Sequence, residues 1–451
     1  MEPTIDIYLD HLDGEGARDG ARSEATPQLV GRARFALRRG QITTSFSYSD
    51  AFLASPDAFA IDPHMPITKA THFFAGLPGA FADTAPDRWG RRLIRRGWTR
   101  TPDEVDYMLG TSDLARQGAL RYRVPGEDEF RSGGQSGSPG GRAGAAGSTG
   151  KADSTSKSIP PLVQLPRLLA ACRAVLADSE AHDEVKYLLS VGSSTLGGAR
   201  PKASVMDEGV LYIAKFPAPS DSHDVMAWEK TAADLASSCG IETPTTRLVH
   251  IGDDSVLLLR RFDRDRVGSR DSEDGGTGSA CGTRRLPYIS AMTLLGSHDG
   301  DIRDYVEIAE SLSSFVKDPG RDLEQLFRRI AFSIAVNNTD DHLRNHGFLR
   351  VGAQWRLSPA FDVNPNPDVD APRATSILGE TGNGQAKALR ETAPEFGLSA
   401  EQAKSIVAAV LHVMGSWRLA ARRNGCRESE IRMFEPVFAQ RAAELRGAFG
   451  L

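Results

Sequence analysis

The sequence predicts an α+β protein in which a small mixed unit precedes a larger, two-lobed one. Three observations carry this. Strand-like runs crowd the middle of the chain, from Ala203 to Phe262. Helical periodicity takes over from Ile289 onwards. Two stretches rich in small and polar residues, Ser132–Ser158 and Asp265–Arg284, break the pattern. Neither can bury enough apolar area to offset its ordering entropy. The expected organisation is a mixed domain at 1–130, a flexible linker at 131–160, a strand-rich lobe at 161–264, a disordered insertion at 265–285 and a helical lobe at 286–451.

Ile5–Leu9 and Ala33–Arg38 have the composition of short strands. Phe46–Leu53 and a Pro-punctuated segment to Pro66 follow. Thr84–Arg96 and Thr101–Leu109 read as helices, each opening on a hydroxyl residue with an acidic one soon after. Between the breaks, strands are expected at Ala203–Met206, Gly209–Phe216, Thr246–Ile251 and Ser255–Phe262. One helix, Ala227–Cys239, sits among them with apolar residues at helical spacing. After the second break, helices are expected at Ile289–Leu295, Tyr305–Phe315, Leu323–Val336, Ala400–Met414 and Pro436–Ala448. A cleft between two such lobes is a favoured ligand site.

The totals narrow the function classes. At 451 residues the chain has room for two or three cores. A net charge of −5 argues against a whole-chain nucleic-acid binder. The local basic run RWGRRLIRRGWTR, Arg88–Arg100, reads more simply as a solvated helix face. Cys172, Cys239, Cys281 and Cys426 are scattered, so neither a zinc site nor a disulfide framework is indicated, and a reducing cytoplasm fits. The N-terminus lacks a signal-peptide pattern and no apolar run reaches bilayer length, so no membrane association is expected.

One stretch asks for an explanation: NNTDDHLRNHGFL, 337–349, placed where a good amphipathic helix stops. Phosphoryl transfer from ATP needs such a loop. An Asp orients the attacking hydroxyl and an Asn five residues on binds Mg2+. Asp340 and Asn345 have that offset, and Asp362 in LSPAFDVNP supplies a second carboxylate. The same chemistry needs a Lys on a strand, often fixed by a helical Glu. Lys215 in YIAKFP and Glu229 in the next helix qualify. It also needs a glycine-containing loop near the phosphates. GSSTLGGARPK, with Gly197, Gly198, Arg200 and Lys202, is the candidate. Each residue has a bland alternative. Gly-Gly can be a turn, Lys215 can snorkel, Glu229 can be solvated, Asp340 can cap a turn and His342 can be structural. The ordered set points to a protein-kinase-like two-lobed domain.

At this point the sequence resembles the HipA-like serine/threonine kinases, the toxin halves of bacterial toxin–antitoxin pairs. The motifs are FSYSDAFLASPDA, FFAGLPGAFADTAPDRWGRRL, SDLARQGALRY, GGARPKA, IAKFP, LLLRRFDR, NNTDDHLRNHGFL and LSPAFDVNP. The resemblance implies that Asp340 is catalytic, that Asn345 and Asp362 hold Mg2+, and that Lys215 binds ATP. It further implies that Arg261, Phe262 and Asp263 form an adenine and ribose hinge, with His342 and the Gly197, Gly198, Ala199, Arg200, Lys202 segment at the nucleotide. A self-phosphorylated residue falls at Thr195, with Ser194 and Ser193 close by. The implied partners are a HipB-like helix-turn-helix antitoxin, operator DNA through that antitoxin, and a protein substrate of the aminoacyl-tRNA synthetase kind. Two readings compete: a small-molecule phosphotransferase, and a catalytically weak kinase-fold partner of a DNA-binding antitoxin.

Overall fold

The computed structural model describes residues 3–10, 27–132, 159–177, 181–193, 200–266, 283–316 and 318–451. Most of both Gly-rich breaks lies outside them, as do Ser194, Thr195, Gly197, Gly198 and Ala199. The chain forms two compact units, 1–214 with 263–288 and 215–262 with 289–451. The first unit takes in much of the segment that the sequence assigns to the strand-rich lobe.

In the first unit a five-stranded sheet runs in the order β4-β3-β2-β1-β5. Its strands are β1 (Thr4–Leu9), β2 (Gln28–Arg38), β3 (Gln41–Tyr48), β4 (His72–Ala75) and β5 (Leu120–Arg123), with every neighbouring pair antiparallel. The β2–β3 turn places Arg39 and Gly40 at φ 51° and 79°, the left-handed pair whose twist suits a two-residue hairpin. β2 starts five residues before the expected Ala33. The strand runs through Gly31, and glycine inside a strand often marks a site where another backbone comes close. Here it marks a close approach: a Cβ on Gly31 would stand 2.3 Å from the Ser47 carbonyl oxygen. Ile5, Ile7, Phe35, Phe46, Phe81 and Trp89 fill the core.

Two helices in this unit, Leu165–Ala177 and His182–Ser190, were not expected, because strand signals dominate that region. The helix expected from Thr84 begins only at Arg88. Thr84 is committed elsewhere: its hydroxyl donates to the Phe81 carbonyl and meets the Tyr122 hydroxyl at 2.7 Å. The basic run keeps Arg88, Arg95 and Arg100 exposed, and several of its arginines are paired. Arg91 forks onto Glu104 and Arg100 onto Asp106. Arg92 and Arg96 donate to the Val175 carbonyl near the end of Leu165–Ala177.

The SDLARQGALRY segment folds around a buried charge. Arg116 donates to Thr111 and to Asp113, and Asp113 also accepts from Arg121 and Arg285. Burial alone would raise the Asp113 carboxyl; Arg285, Arg116 and Arg121 hold it below its ordinary value. Gly118, at φ 72°, donates its N–H to Asp263 at 2.8 Å.

In the second unit the helix Val225–Ser238 packs on the antiparallel hairpin Thr246–Ile251/Asp254–Arg260. The rest is helical, around Tyr305–Phe315, Gly320–Ala335, Ala400–Met414, Trp417–Arg423 and Glu428–Phe449, with a hairpin at Gly347–Val351/Gln354–Leu357. The helix expected at Ile289–Leu295 is instead a strand, Tyr288–Ser290, and one turn, Ala291–Leu294, capped by Ser290. The last helix begins eight residues before the expected Pro436. Its start is set by Glu430, which accepts the Arg427 backbone N–H, and Pro436 lies inside it. Among the described residues no helix is long and apolar enough to cross a membrane.

Candidate active site

Asp340, Asn345, Asp362 and Glu229, with Lys215 and His342, fall within the second unit. Lys215 ends the strand Val210–Lys215 and is buried. Its ammonium contacts two carboxylates, Glu229 Oε1 and Asp362 Oδ1, each at 2.5 Å. A buried ammonium is costly without anions, and these two supply them. Burial pulls Lys215 towards its neutral form; Asp362 and Glu229 pull harder the other way, so the net shift is upward. Glu229 is itself buried, one turn into a helix capped by Asp224, whose carboxylate accepts the Ala227 N–H at 3.0 Å.

The question of why the Gly320–Ala335 helix stops has a local answer. Asn337 adopts φ 51°, a left-handed conformation that Asn tolerates at helix ends. Asn338 then donates its N–H back to the Ser333 carbonyl at 2.8 Å. The Asn337 side chain is a buried knot. Its Nδ2 donates to the Asn366 and Asp368 carbonyls, and its Oδ1 accepts from Arg441 Nε of the last helix at 3.0 Å.

The two adjacent aspartates separate by environment. Asp340 is exposed at the loop tip. Asp341 points inward, accepting from Ser333 at 3.0 Å and from the Tyr305 hydroxyl, with His346 at 3.1 Å and Arg373 at 3.6 Å. Burial opposes the Asp341 charge; His346 and Arg373 outweigh it and hold the carboxyl well below the usual carboxylate range. The chain thus keeps one aspartate for structure and presents the other. Asn345 donates Nδ2 to the Asp340 carbonyl at 3.0 Å, which leaves its amide oxygen as an acceptor. His342 precedes the 3-10 turn Leu343–Asn345, and its Nδ1 is buried without a hydrogen bond.

Asp362 sits at φ 59°, a strained conformation for a residue with a side chain, costing of order 1–3 kcal/mol. Lys215 and the Asn364 amide hold it there, the latter donating to its Oδ1 at 3.2 Å. Asn364 also donates its backbone N–H to Asn338 Oδ1 at 3.4 Å, tying the Asp362 loop to the Asp340 loop. Glu229 and Asp362 line one recess, Asn338, Asp341 and Asn345 a second; Ala236, Ala360, Phe361 and Val363 are walls of both.

The remaining candidates are placed less tightly. In the first unit, Lys202 is buried and its carbonyl accepts from Trp89 Nε1, while Arg200 is partly exposed. Asp263 is buried and its carboxylate serves Gly118 and Arg264. In the second, Arg261 is buried and the Phe262 ring lies 5.3 Å from that of Phe361. Ser193 is fully buried, with its hydroxyl out of contact with solvent. Sequence reasoning missed Asn338, Asn364, Asn337 and Asp341. The signal for the first two was present, since polar amides flank both acidic motifs.

The fold and these loops define a class: a two-carboxylate, Lys–Glu-paired site on a protein-kinase-like architecture. Two family models match the chain, the HipA-like C-terminal domain over residues 194–417 and the HipA N-terminal domain over 28–122. The chain belongs to the HipA-like family. Among solved structures, the HipA, HipB and operator DNA complex of Shewanella oneidensis MR-1 matches with a TM-score of 0.63 at 15% identity, over 99% of this chain and 98% of that one. The Helicobacter pylori proinflammatory kinase CtkA matches with a TM-score of 0.38 at 12% identity, over 55% of this chain and 92% of that one. A putative kinase of Haemophilus influenzae is 22% identical over 35% of this chain, and the match spans 47% of that protein's length.

Proposed function

We propose that this protein is an ATP- and Mg2+-dependent serine/threonine protein kinase and the toxin of a toxin–antitoxin pair. The observation that supports it most is the buried Lys215–Glu229–Asp362 cluster in the same unit as an exposed Asp340 with Asn345 five residues on. Lys215 pairs with ATP phosphate oxygens, and Glu229 keeps its ammonium aimed. Asp340 accepts a hydrogen bond from the acceptor hydroxyl and turns its oxygen towards the γ-phosphorus. The P–O bond to ADP breaks as the O–P bond to the protein forms, and the hydroxyl proton leaves through Asp340. The donor set suits Mg2+, a hard cation that takes one or two carboxylates and substrate phosphates: Asp362 and Asn345 would hold it, and Asn364 Oδ1 is buried without a hydrogen bond beside Asp362. Bound there, Mg2+ neutralises charge on the phosphates.

The target is a protein hydroxyl, of the aminoacyl-tRNA synthetase kind, and the partner a HipB-like helix-turn-helix antitoxin that carries the complex to operator DNA. The Shewanella complex, whose HipA fold this chain shares, supports that choice of partner. Self-phosphorylation in the 193–195 segment would switch the enzyme off by adding roughly −1.5 to −2 charge to a loop that must approach ATP. The burial of Ser193 favours Thr195 or Ser194 as acceptor. The test is intact mass after incubation with Mg2+ and ATP, beside Asp340→Asn. A gain of one phosphoryl group in the wild type alone is expected. No gain in the wild type, together with no ATP binding, would refute the kinase reading.

A further inference from the structure

The helix that carries Glu229 has two working faces. Glu229, Ala233 and Ala236 line the recess beside Asp362. Trp228, Thr231 and Asp234 meet the C-terminal helices, as i, i+3 and i+6 neighbours on a helix can. The Trp228 ring stacks at 3.9 Å on Phe434 and lies 6.1 Å from Trp417. Asn424 donates to Thr231 and Asp234 at 3.1 and 3.0 Å. A buried carboxylate, Glu430, closes the contact. It accepts the Trp228 indole N–H and the Asp224 backbone N–H, both at 3.2 Å, while Arg427 balances its charge.

In kinases the Lys–Glu pair must be in place for ATP to be held, and the position of the Glu helix controls it. Here that helix is fastened at its first turn, through Trp228 and the Asp224 backbone, by a residue two hundred positions away in the chain. We propose that Glu430 and Trp228 are positioning residues for ATP: they set the rotation of the Glu229 helix and so keep Glu229 on Lys215. The inference rests on the kinase reading and deepens it. The C-terminal helices become part of the nucleotide site without touching the nucleotide.

A double-mutant cycle separates positioning from general stability. The readout is the Kd for ATP in the presence of Mg2+, with melting temperature recorded for each protein. Glu430→Gln is expected to weaken ATP binding about tenfold while Glu229 is present, and less than twofold in a Glu229→Gln background. An equal loss in both backgrounds overturns the proposal, since the role would not run through Glu229. So does an unchanged Kd. Trp228→Phe keeps the ring against Phe434 and removes only the N–H; it replaces Glu430→Gln in the cycle if that variant does not fold, with the same expected pattern. Wild-type protein that fails to bind ATP refutes the kinase reading itself, and this inference with it.

Discussion

Lys215→Met tests whether the buried cluster is a charge balance. The substitution keeps an unbranched apolar stem and removes the ammonium. Glu229 then stays in a site where its side chain is 4% exposed, next to Asp362, and both carboxylates lose the Lys215 ammonium. Breaking a buried pair by removing one partner costs about 3–5 kcal/mol. For a unit of this size each kcal/mol moves the melting midpoint by roughly 2–4 °C, so a fall of about 6–20 °C is expected. The double variant Lys215→Met with Glu229→Leu removes the Glu229 carboxylate as well. It should recover most of that loss, since apolar replacement of a buried pair is often neutral. Neither variant should bind ATP. Scanning calorimetry with ATP titration reads all of this. Lys215→Met that melts with the wild type would refute the claim that the cluster is a buried, mutually compensating set.

Three further outcomes follow from the geometry. Asp341 has a folded value depressed below the ordinary 3.8, so its contribution is present above that value and lost as pH falls through the folded one; Asp341→Asn should flatten the acid limb of an unfolding-against-pH profile below about pH 4. Asn337→Gly keeps the left-handed backbone but loses three side-chain hydrogen bonds, and Asn337→Ala loses both; denaturant melts should place Ala below Gly by about 1 kcal/mol, and equal values would deny the backbone its part. Gly31→Ala puts a Cβ 2.3 Å from the Ser47 carbonyl oxygen, so β2 and β3 must part and the first unit should lose about 1–3 kcal/mol in urea unfolding.

The spacing of the candidate catalytic loop stands out in the sequence because the proposed chemistry would constrain residue type and offset together. That chemistry would need oxygen donors at set intervals, which Asp340, Asn345 and Asp362 could supply, and Lys215 needs anions once it ends an apolar strand. Which of Asp340 and Asp341 faces water was not readable. It depends on Tyr305, Ser333, His346 and Arg373, brought in from three other segments. Local rules failed where a residue served a distant partner. Gly31 makes room for Ser47, and Thr84 looked like a helix start but belongs to Tyr122. The arginines of Arg88–Arg100 looked solvated because their acceptors, Glu104, Asp106 and Val175, carry no mark of the pairing in sequence.

The bond between Arg441 and Asn337 spans 104 residues, and synthesis reaches Asn337 first. At about 5–20 residues per second, roughly 5–20 s pass before the guanidinium that completes the knot has been made. For that interval the loop that carries Asp340 lacks one of the three hydrogen bonds of the Asn337 side chain. The candidate catalytic loop therefore waits on a helix translated well after it, and a chain interrupted between the two positions lacks that bond.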